Sequence, residues 1–416
     1  MMASAPSFLF LQGPPGPFFA QLASLMRSCG YGCERINFNG GDRLYWPGNA
    51  LDFTGTLDQF PAFLEPILLS RQITAIVLYG DCRPLHRAAC RIADALGIDV
   101  YVFEEGYIRP DWVTLERGGV NGFSSLPRDP ATYLRLAEPL EPLASHYPMP
   151  ANFAMRAREA LVYFLGYWLF SIYYSGYRSH RPYSALRELG GWIGKLVHSQ
   201  LSRSRSARNL ARLGDQPYYL FPLQLDSDHQ IRTHSPFKGM ADAIKTVLES
   251  FAIHSPAKTV LLVKEHPLDN GLHAWRAITG RIAERLGIEG RVVFIAHGDL
   301  YSIVEGASGV VTVNSTTGTL ALAAGIPVAV LGKAVYDLPG ITHQGSLDAF
   351  WQHPGKPQVE LYDAFQRVLA ERCLLRGGFS SAAGRALLLP LAAARLIEGS
   401  RALPTAVSSH RSTVNA

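Results

Sequence analysis

The sequence predicts an α/β protein built as two Rossmann-like lobes, their parallel sheets facing a central cleft, with a helical insertion between the lobes. Three observations carry this. Short apolar runs alternate with helical stretches of about 10 to 15 residues in two separate parts of the chain. The alternation stops between about 150 and 212, and 416 residues are enough for two cores. With 48% hydrophobic and 18% charged residues, a disordered or collagen-like chain is excluded. Lys and Arg number 39 against 34 Asp and Glu, and a net charge of +5 is too weak for a dedicated nucleic-acid binder.

In the first lobe, residues 8–11 read as a short buried strand, 12–17 as a Gly/Pro turn and 18–29 as a helix. The rhythm continues with a strand at 33–37, a helix at 59–69, the β-branched run 73–79, a helix at 84–96 and a strand at 100–103. It resumes at 218–223, 259–264, a helix at 272–286, 292–295, 309–313, a helix at 316–324 and 328–331, followed by helices near 359–374 and 382–397. Strands alternating with helices imply parallel sheets covered on both faces. The expected divisions are a first lobe over 1–149, an insertion over 150–212, a second lobe over 213–375, a C-terminal helix over 376–399 and a polar, disordered tail over 400–416.

Cys29, Cys33, Cys82, Cys90 and Cys373 form no CxxC pair, so a reducing compartment and no metal clamp are expected. The apolar run 8–11 is too short for a secretory leader, and the run 160–174 falls short of the ~20 residues that span a bilayer. A cytoplasmic protein is expected. The run 160–174 is aromatic and is followed by Arg178, His180, Arg181, Lys195, Arg203, Arg205, Arg208 and Arg212, the ingredients of a face that lies on an anionic membrane surface. It equally reads as a buried helix with a basic neighbour.

In open α/β sheets ligands bind beyond the carboxyl ends of strands, which singles out four places. Glu104-Glu105-Gly106, with Arg109 behind it, offers a general acid or base, or else a solvated acidic turn. Between Gln224 and Ser235 lie Asp226, Asp228, His229, Arg232 and His234, the densest polar cluster. A carboxylate here can attack an anomeric carbon. The cluster also reads as a capped turn or, less naturally given its spacing, a metal site. Lys264 and His266 can neutralise a leaving phosphate, or belong to a capped turn. Asn314-Ser315-Thr316-Thr317-Gly318-Thr319 opens a helix and can cradle phosphate, or act as a plain N-cap.

Taken together, Glu104-Glu105-Gly106, Lys264-x-His266-Pro267 and Asn314-Ser315-Thr316 resemble the motifs of bacterial GT-B sialyltransferases, which use CMP-activated donors. The segments 10–19, 79–84, 104–110 and 222–235 resemble more closely the KpsS/LipB family of capsular polysaccharide export proteins, with coverage from about 7 to 375. The resemblance implies a GT-B-like fold and a retaining β-Kdo transferase. Such an enzyme takes Kdo from CMP-β-Kdo to a lysophosphatidylglycerol acceptor, as a peripheral protein on the inner face of the inner membrane, and so starts the poly-Kdo linker of capsule.

By the same resemblance Gln224-x-x-x-Asp228 makes Asp228 the nucleophile, with Asp226 orienting it and Arg232 in the same segment. Lys264 and His266 would hold the CMP phosphate, with Asn314, Ser315, Thr316 and Gly318 at the helix start. Glu105 or Glu104 would serve the acceptor, and Arg109 would pair with the Kdo carboxylate. Where many GT-B enzymes carry Gly-x-Glu-Ala-Leu for the ribose, this chain has Gly318-Thr-Leu320-Ala-Leu322, so ribose recognition must come from elsewhere. No cofactor or metal is expected, since protein dipoles and side chains can stabilise the leaving group. Expected partners are a capsule assembly or export complex and a transferase that extends the Kdo chain. The rival readings are a non-catalytic export component and a GT-B transferase for another nucleotide sugar, such as CMP-sialic acid.

Overall fold

The computed structural model describes residues 6–143, 153–178, 187, 190–191, 194–195, 198–226 and 229–401. In chain order the strands are β1 (Ser7–Phe10), β2 (Gly32–Asn37), β3 (Leu51–Asp52), β4 (Ile73–Tyr79), β5 (Asp99–Glu105) and β6 (Trp112–Arg117). Then come β7 (Tyr218–Pro222), β8 (Val260–Lys264), β9 (Val292–Ile295), β10 (Gly309–Thr312), β11 (Val328–Val330) and β12 (Leu374–Arg376). Among the described residues they form two sheets, ordered β12-β6-β5-β4-β1-β2-β3 and β11-β10-β7-β8-β9.

The second sheet is parallel throughout, and so is the first from β3 to β5. In β4, Ile73, Ala75, Ile76, Val77 and Leu78 are buried, as a central parallel strand covered on both faces requires. At the far edge β6 runs antiparallel to β5, and β12 antiparallel to β6. Neither strand is expected from apolar runs. Strand β6 buries Thr114 and Glu116, the latter accepting from the Tyr107 and Ser124 hydroxyls, and β12 has three residues. The helix Met240–His254 also escapes the sequence reading.

The chain returns to the first lobe earlier than the expected boundary at 375. On the helix Val359–Cys373, Phe365 packs on Tyr133 of the helix Pro130–Ala137, and β12 then joins the first sheet. The helix Ala382–Arg401 continues past the expected start of the tail and lies on the helix Phe18–Ser28, with Phe379 against Phe18. The rest of that tail, 402–416, lies outside the described residues.

The insertion divides between the lobes. The helix Phe153–Leu169 crosses the short helix Gly40–Leu44 at near backbone contact: a Cβ on Gly40 would stand 2.0 Å from the Gly166 carbonyl oxygen. That approach half-buries Tyr163, whose hydroxyl donates to Asp42 and accepts from Gln12 and Asn39. It also buries the ion pair of Glu159 with Arg385 of the C-terminal helix, 2.9 Å apart. The helix Ser199–Leu213 instead packs on the second lobe, its Ser206 hydroxyl accepting from the Ala296 and His297 amides. No helix among the described residues is long and apolar enough to cross a membrane.

Removing one partner of a buried ion pair strands the other, at a cost of about 3–5 kcal/mol. Glu159→Ala therefore lowers the unfolding free energy by about 3 kcal/mol in urea titration. Glu34→Ala, which breaks the half-exposed 2.8 Å pair with Arg71, changes it by less than about 1 kcal/mol.

Candidate active site

Strands β7, β8 and β10 end side by side and present Gln224, Lys264 and Asn314 within a few residues of their carboxyl ends. Gln224 and Asn314 lock two of these ends together. The Gln224 amide donates to Asn314 Oδ1 at 2.8 Å, and the Asn314 backbone N–H donates to Gln224 Oε1 at 3.0 Å. Gln224 is buried, so this pair fixes where the polar segment that follows it begins.

Ser315 and Thr316 lead into the helix Thr317–Ala323. The Ser315 hydroxyl accepts from the Thr317 amide, and the Ser315 carbonyl accepts from Tyr336 Oη at 2.6 Å. Gly318 serves that contact, because a Cβ there would stand 2.4 Å from the Tyr336 oxygen. Its part here is packing, and the helix it opens has seven residues.

Lys264 ends β8 with its side chain buried, and burial pulls its pKa below the usual lysine range. His266 follows in a turn, where its Nδ1 accepts from the Leu268 backbone N–H at 3.0 Å. The ring proton therefore sits on Nε2. Burial first, then the Arg109 guanidinium, lowers the His266 pKa to about 4, so the ring is a neutral N–H donor at physiological pH. Glu265, between them, is raised by burial and held by Lys195, whose ammonium lies 3.0 Å from Oε1 and also donates to the Asp269 carbonyl at 2.8 Å. Lys195 thus clamps the Lys264–Asp269 turn instead of joining a surface basic face. Beside it opens a cavity of about 660 Å³ lined by Lys195, Glu265, His273, Trp275 and His297.

In the Gln224–Ser235 segment, Asp226 accepts from the Met240 amide at the start of the helix Met240–His254, and stands 3.7 Å from both Arg232 and His273. It ties together three elements. Asp228 lies outside the described residues, as do His180 and Arg181.

From the first lobe, Glu104 and Glu105 end β5. The Glu104 carboxylate accepts from the Glu105 amide, and Glu105 lies 3.5 Å from Arg156 of the insertion helix. The turn after them reaches the second lobe: the Tyr107 carbonyl accepts from Thr319 Oγ1 at 3.1 Å, and Arg109 comes close enough to depress His266. Nearby, Cys82 donates to Asp81 and lies 3.4 Å from His234 Nε2 across the lobes. Asp81, Cys82 and His234 are buried and have donor types suited to a divalent metal, yet they already satisfy one another as a hydrogen-bonded chain. The sequence reading took Thr319 only as part of the helix opening, and missed Tyr336, Lys195 in its clamping role, and the Asp81–Cys82 pair. Of these only the 79–84 segment stood out, and only through resemblance.

Comparisons with known proteins give the family. The model for the capsule polysaccharide biosynthesis protein family matches residues 74–380, and the chain belongs to that family. It is 36% identical over 373 residues to the capsule polysaccharide export protein KpsS of Escherichia coli, covering 89% of this chain and 95% of that protein. It is 35% identical over 390 residues to the capsule polysaccharide modification protein LipB of Neisseria meningitidis serogroup B, covering 92% and 93%. Among solved structures, the KpsC β-Kdo 2,7 transferase of Thermosulfurimonas dismutans aligns over 94% of this chain and 99% of its own, with 14% identity and a TM-score of 0.45.

Three rings are held neutral by burial: His86, lowered to about 3, and His234 and His266, each lowered to about 4. Below the unfolded value of 6.5 the unfolded chain takes up protons that the native rings refuse, so stability is full above pH 6.5 and falls as pH drops toward 4. The urea midpoint should decline across that window, and His86→Gln or His234→Gln should flatten the decline.

Proposed function

We propose that this protein is a retaining glycosyltransferase that moves a Kdo residue from CMP-β-Kdo to lysophosphatidylglycerol, starting the linker on which capsule is built. The observation that carries this reading is the lock of Gln224 and Asn314 beside Lys264 and His266, with the charge of Arg109 from the first lobe reaching the His266 ring. It gathers cations and a neutral N–H donor from both lobes at one set of strand ends. That is a site for a sugar acid joined to a phosphate. Membership of the capsule polysaccharide biosynthesis family, and the capsule roles in the names of KpsS and LipB, support the same assignment.

In this mechanism the Asp228 carboxylate attacks the anomeric carbon of Kdo, and the bond to the CMP phosphate breaks. The phosphate leaves onto Lys264 and the Nε2–H of His266. Lys264 is buried with a depressed pKa, so an arriving phosphate restores the charged form that burial disfavours. An acceptor hydroxyl then attacks the same carbon and releases Asp228, its proton passing to Glu104 or Glu105. Two inversions return the β configuration. Arg109 pairs with the Kdo carboxylate, Asp226 and Arg232 orient the segment, and Ser315 and Thr316 flank the phosphate. The nucleoside occupies the cavity beside Glu265, where this chain finds its substitute for the missing ribose glutamate.

A lipid acceptor calls for a membrane-facing surface, and the insertion helix supplies one. Its Glu159 is buried and its Tyr163 and Tyr167 half-buried, while Leu161, Leu165, Trp168 and Leu169, and Ile172 just past its end, are exposed, Trp168 at 70% and Ile172 at 90%. The protein then works at the inner face of the inner membrane, alongside the export complex and the transferase that extends the Kdo chain.

Incubation with CMP-Kdo and a lysophosphatidylglycerol acceptor, read by mass spectrometry, should show one added Kdo and none from CMP-sialic acid. No addition, with the donor intact, would favour the non-catalytic export reading. Asp228→Asn should abolish transfer with the fold retained by circular dichroism, and normal turnover in that variant would remove double displacement. His266→Ala should mainly raise the KM for CMP-Kdo. Trp168→Ser combined with Ile172→Ser should weaken sedimentation with phosphatidylglycerol vesicles at least tenfold, because each apolar side chain adds about 1.5–3 kcal/mol on burial.

A further inference from the structure

A second cavity, of about 440 Å³, lies in the first lobe, away from the Lys264–His266 turn. At roughly 30 Å³ per water it has room for about fifteen waters. Its walls follow four neighbouring parallel strands: Gln12 after β1, Phe38 after β2, residues 55–58 after β3, and residues 83–86 after β4. That is the edge of an α/β sheet where ligands bind. The remaining wall, Gly176-Tyr177-Arg178, belongs to the insertion just past its exposed apolar residues.

Three features of the lining point to a particular chemistry. Arg83 and Arg178 bring two guanidiniums against one carboxylate, Asp58. The Arg83 guanidinium is pre-positioned, donating to Gln12 Oε1 at 2.6 Å and lying over the Tyr79 ring at 5.3 Å. His86 is 1% exposed, and its Nδ1 donates to the Gly80 carbonyl at 2.7 Å. That bond fixes the tautomer, so Nε2 carries a lone pair, and this buried atom has no hydrogen-bond partner. A lone pair accepts only from an O–H or N–H donor, whereas the guanidiniums ask for an anion.

We propose that this cavity binds the hydroxyl-bearing phosphodiester headgroup of the lipid acceptor, with Arg83 and Arg178 on the phosphate and His86 Nε2 accepting from a headgroup hydroxyl. The assignment of the ligand as acceptor rests on the transferase reading above. The apolar helix face places the acyl chain in the membrane while the headgroup enters beside Tyr177. Cys82, the residue before Arg83, touches His234 of the second lobe.

The test has two arms on the full-length protein. In the first, ¹⁵N-histidine NMR follows the His86 Nε2 resonance, identified by its loss in His86→Gln, during titration with glycerophosphoglycerol and with inorganic phosphate. A saturable shift with glycerophosphoglycerol, at least tenfold weaker in Arg178→Gln, is expected. No shift, or an equal response to inorganic phosphate, overturns the headgroup assignment. This arm needs no turnover, so it stands apart from any failure of the transferase reading. In the second arm, Arg178→Gln and Arg83→Gln should each raise the KM for lysophosphatidylglycerol at least tenfold and leave acceptor-free hydrolysis of CMP-Kdo unchanged. Arg178 is exposed, so its variant keeps the test decisive even where Arg83→Gln unfolds. An unchanged acceptor KM in Arg178→Gln contradicts the proposal.

Discussion

The site depends on a polar seam that holds the two lobes with their strand ends facing. Thr319 donates across it to the Tyr107 carbonyl, Arg128 donates to the Ala334 carbonyl, and Cys82 lies 3.4 Å from His234 Nε2. Gly122 closes against His234 so tightly that a Cβ would stand 2.3 Å from Nδ1. Buried polar groups tolerate little displacement, because a separated donor or acceptor loses its partner without regaining water. The seam therefore fixes the separation of the lobes. Arg109 stands two residues from Tyr107, on the same turn, and its charge reaches His266.

The fold was largely legible because parallel strands are continuous apolar runs and the helices between them are amphipathic. The strand Ile73–Tyr79 and the helix Pro84–Leu96 were read to the residue. The strand Trp112–Arg117 was not, because its Thr114 and Glu116 are buried by hydrogen bonds that only tertiary structure supplies. The strand Leu374–Arg376 gains its identity by pairing with a strand more than 250 residues earlier. A short apolar triplet carries no local sign of that.

The candidate site divides in the same way. Lys264, His266, Gln224 and Asn314 were found because they follow strands, and a strand's end is visible in sequence. Gly318 also looked like part of a phosphate cradle, yet it answers to Tyr336, a residue 18 positions on. Lys195 looked like one charge in a basic surface run and instead clamps the Glu265 turn. Burial makes three of the histidines neutral donors or acceptors, which a sequence does not show. The stretch 160–174 was open to two readings, a membrane face or a buried helix. One side is held by Tyr163 and the neighbouring Glu159, and the other is left apolar and exposed.

The proposed mechanism divides the labour: the second lobe would handle a phosphate leaving group, the first lobe and insertion an acceptor, and Arg109 would bridge them. The central claim is that Kdo passes through a covalent adduct on the enzyme. The most direct measurement is rapid acid quench of the protein with CMP-Kdo in the absence of acceptor, followed by intact-protein and peptide mass spectrometry. The account predicts a mass increase of one Kdo residue on the peptide containing Asp228, discharged on adding lysophosphatidylglycerol. Transfer that proceeds with no adduct, or with the adduct on another residue, would contradict it.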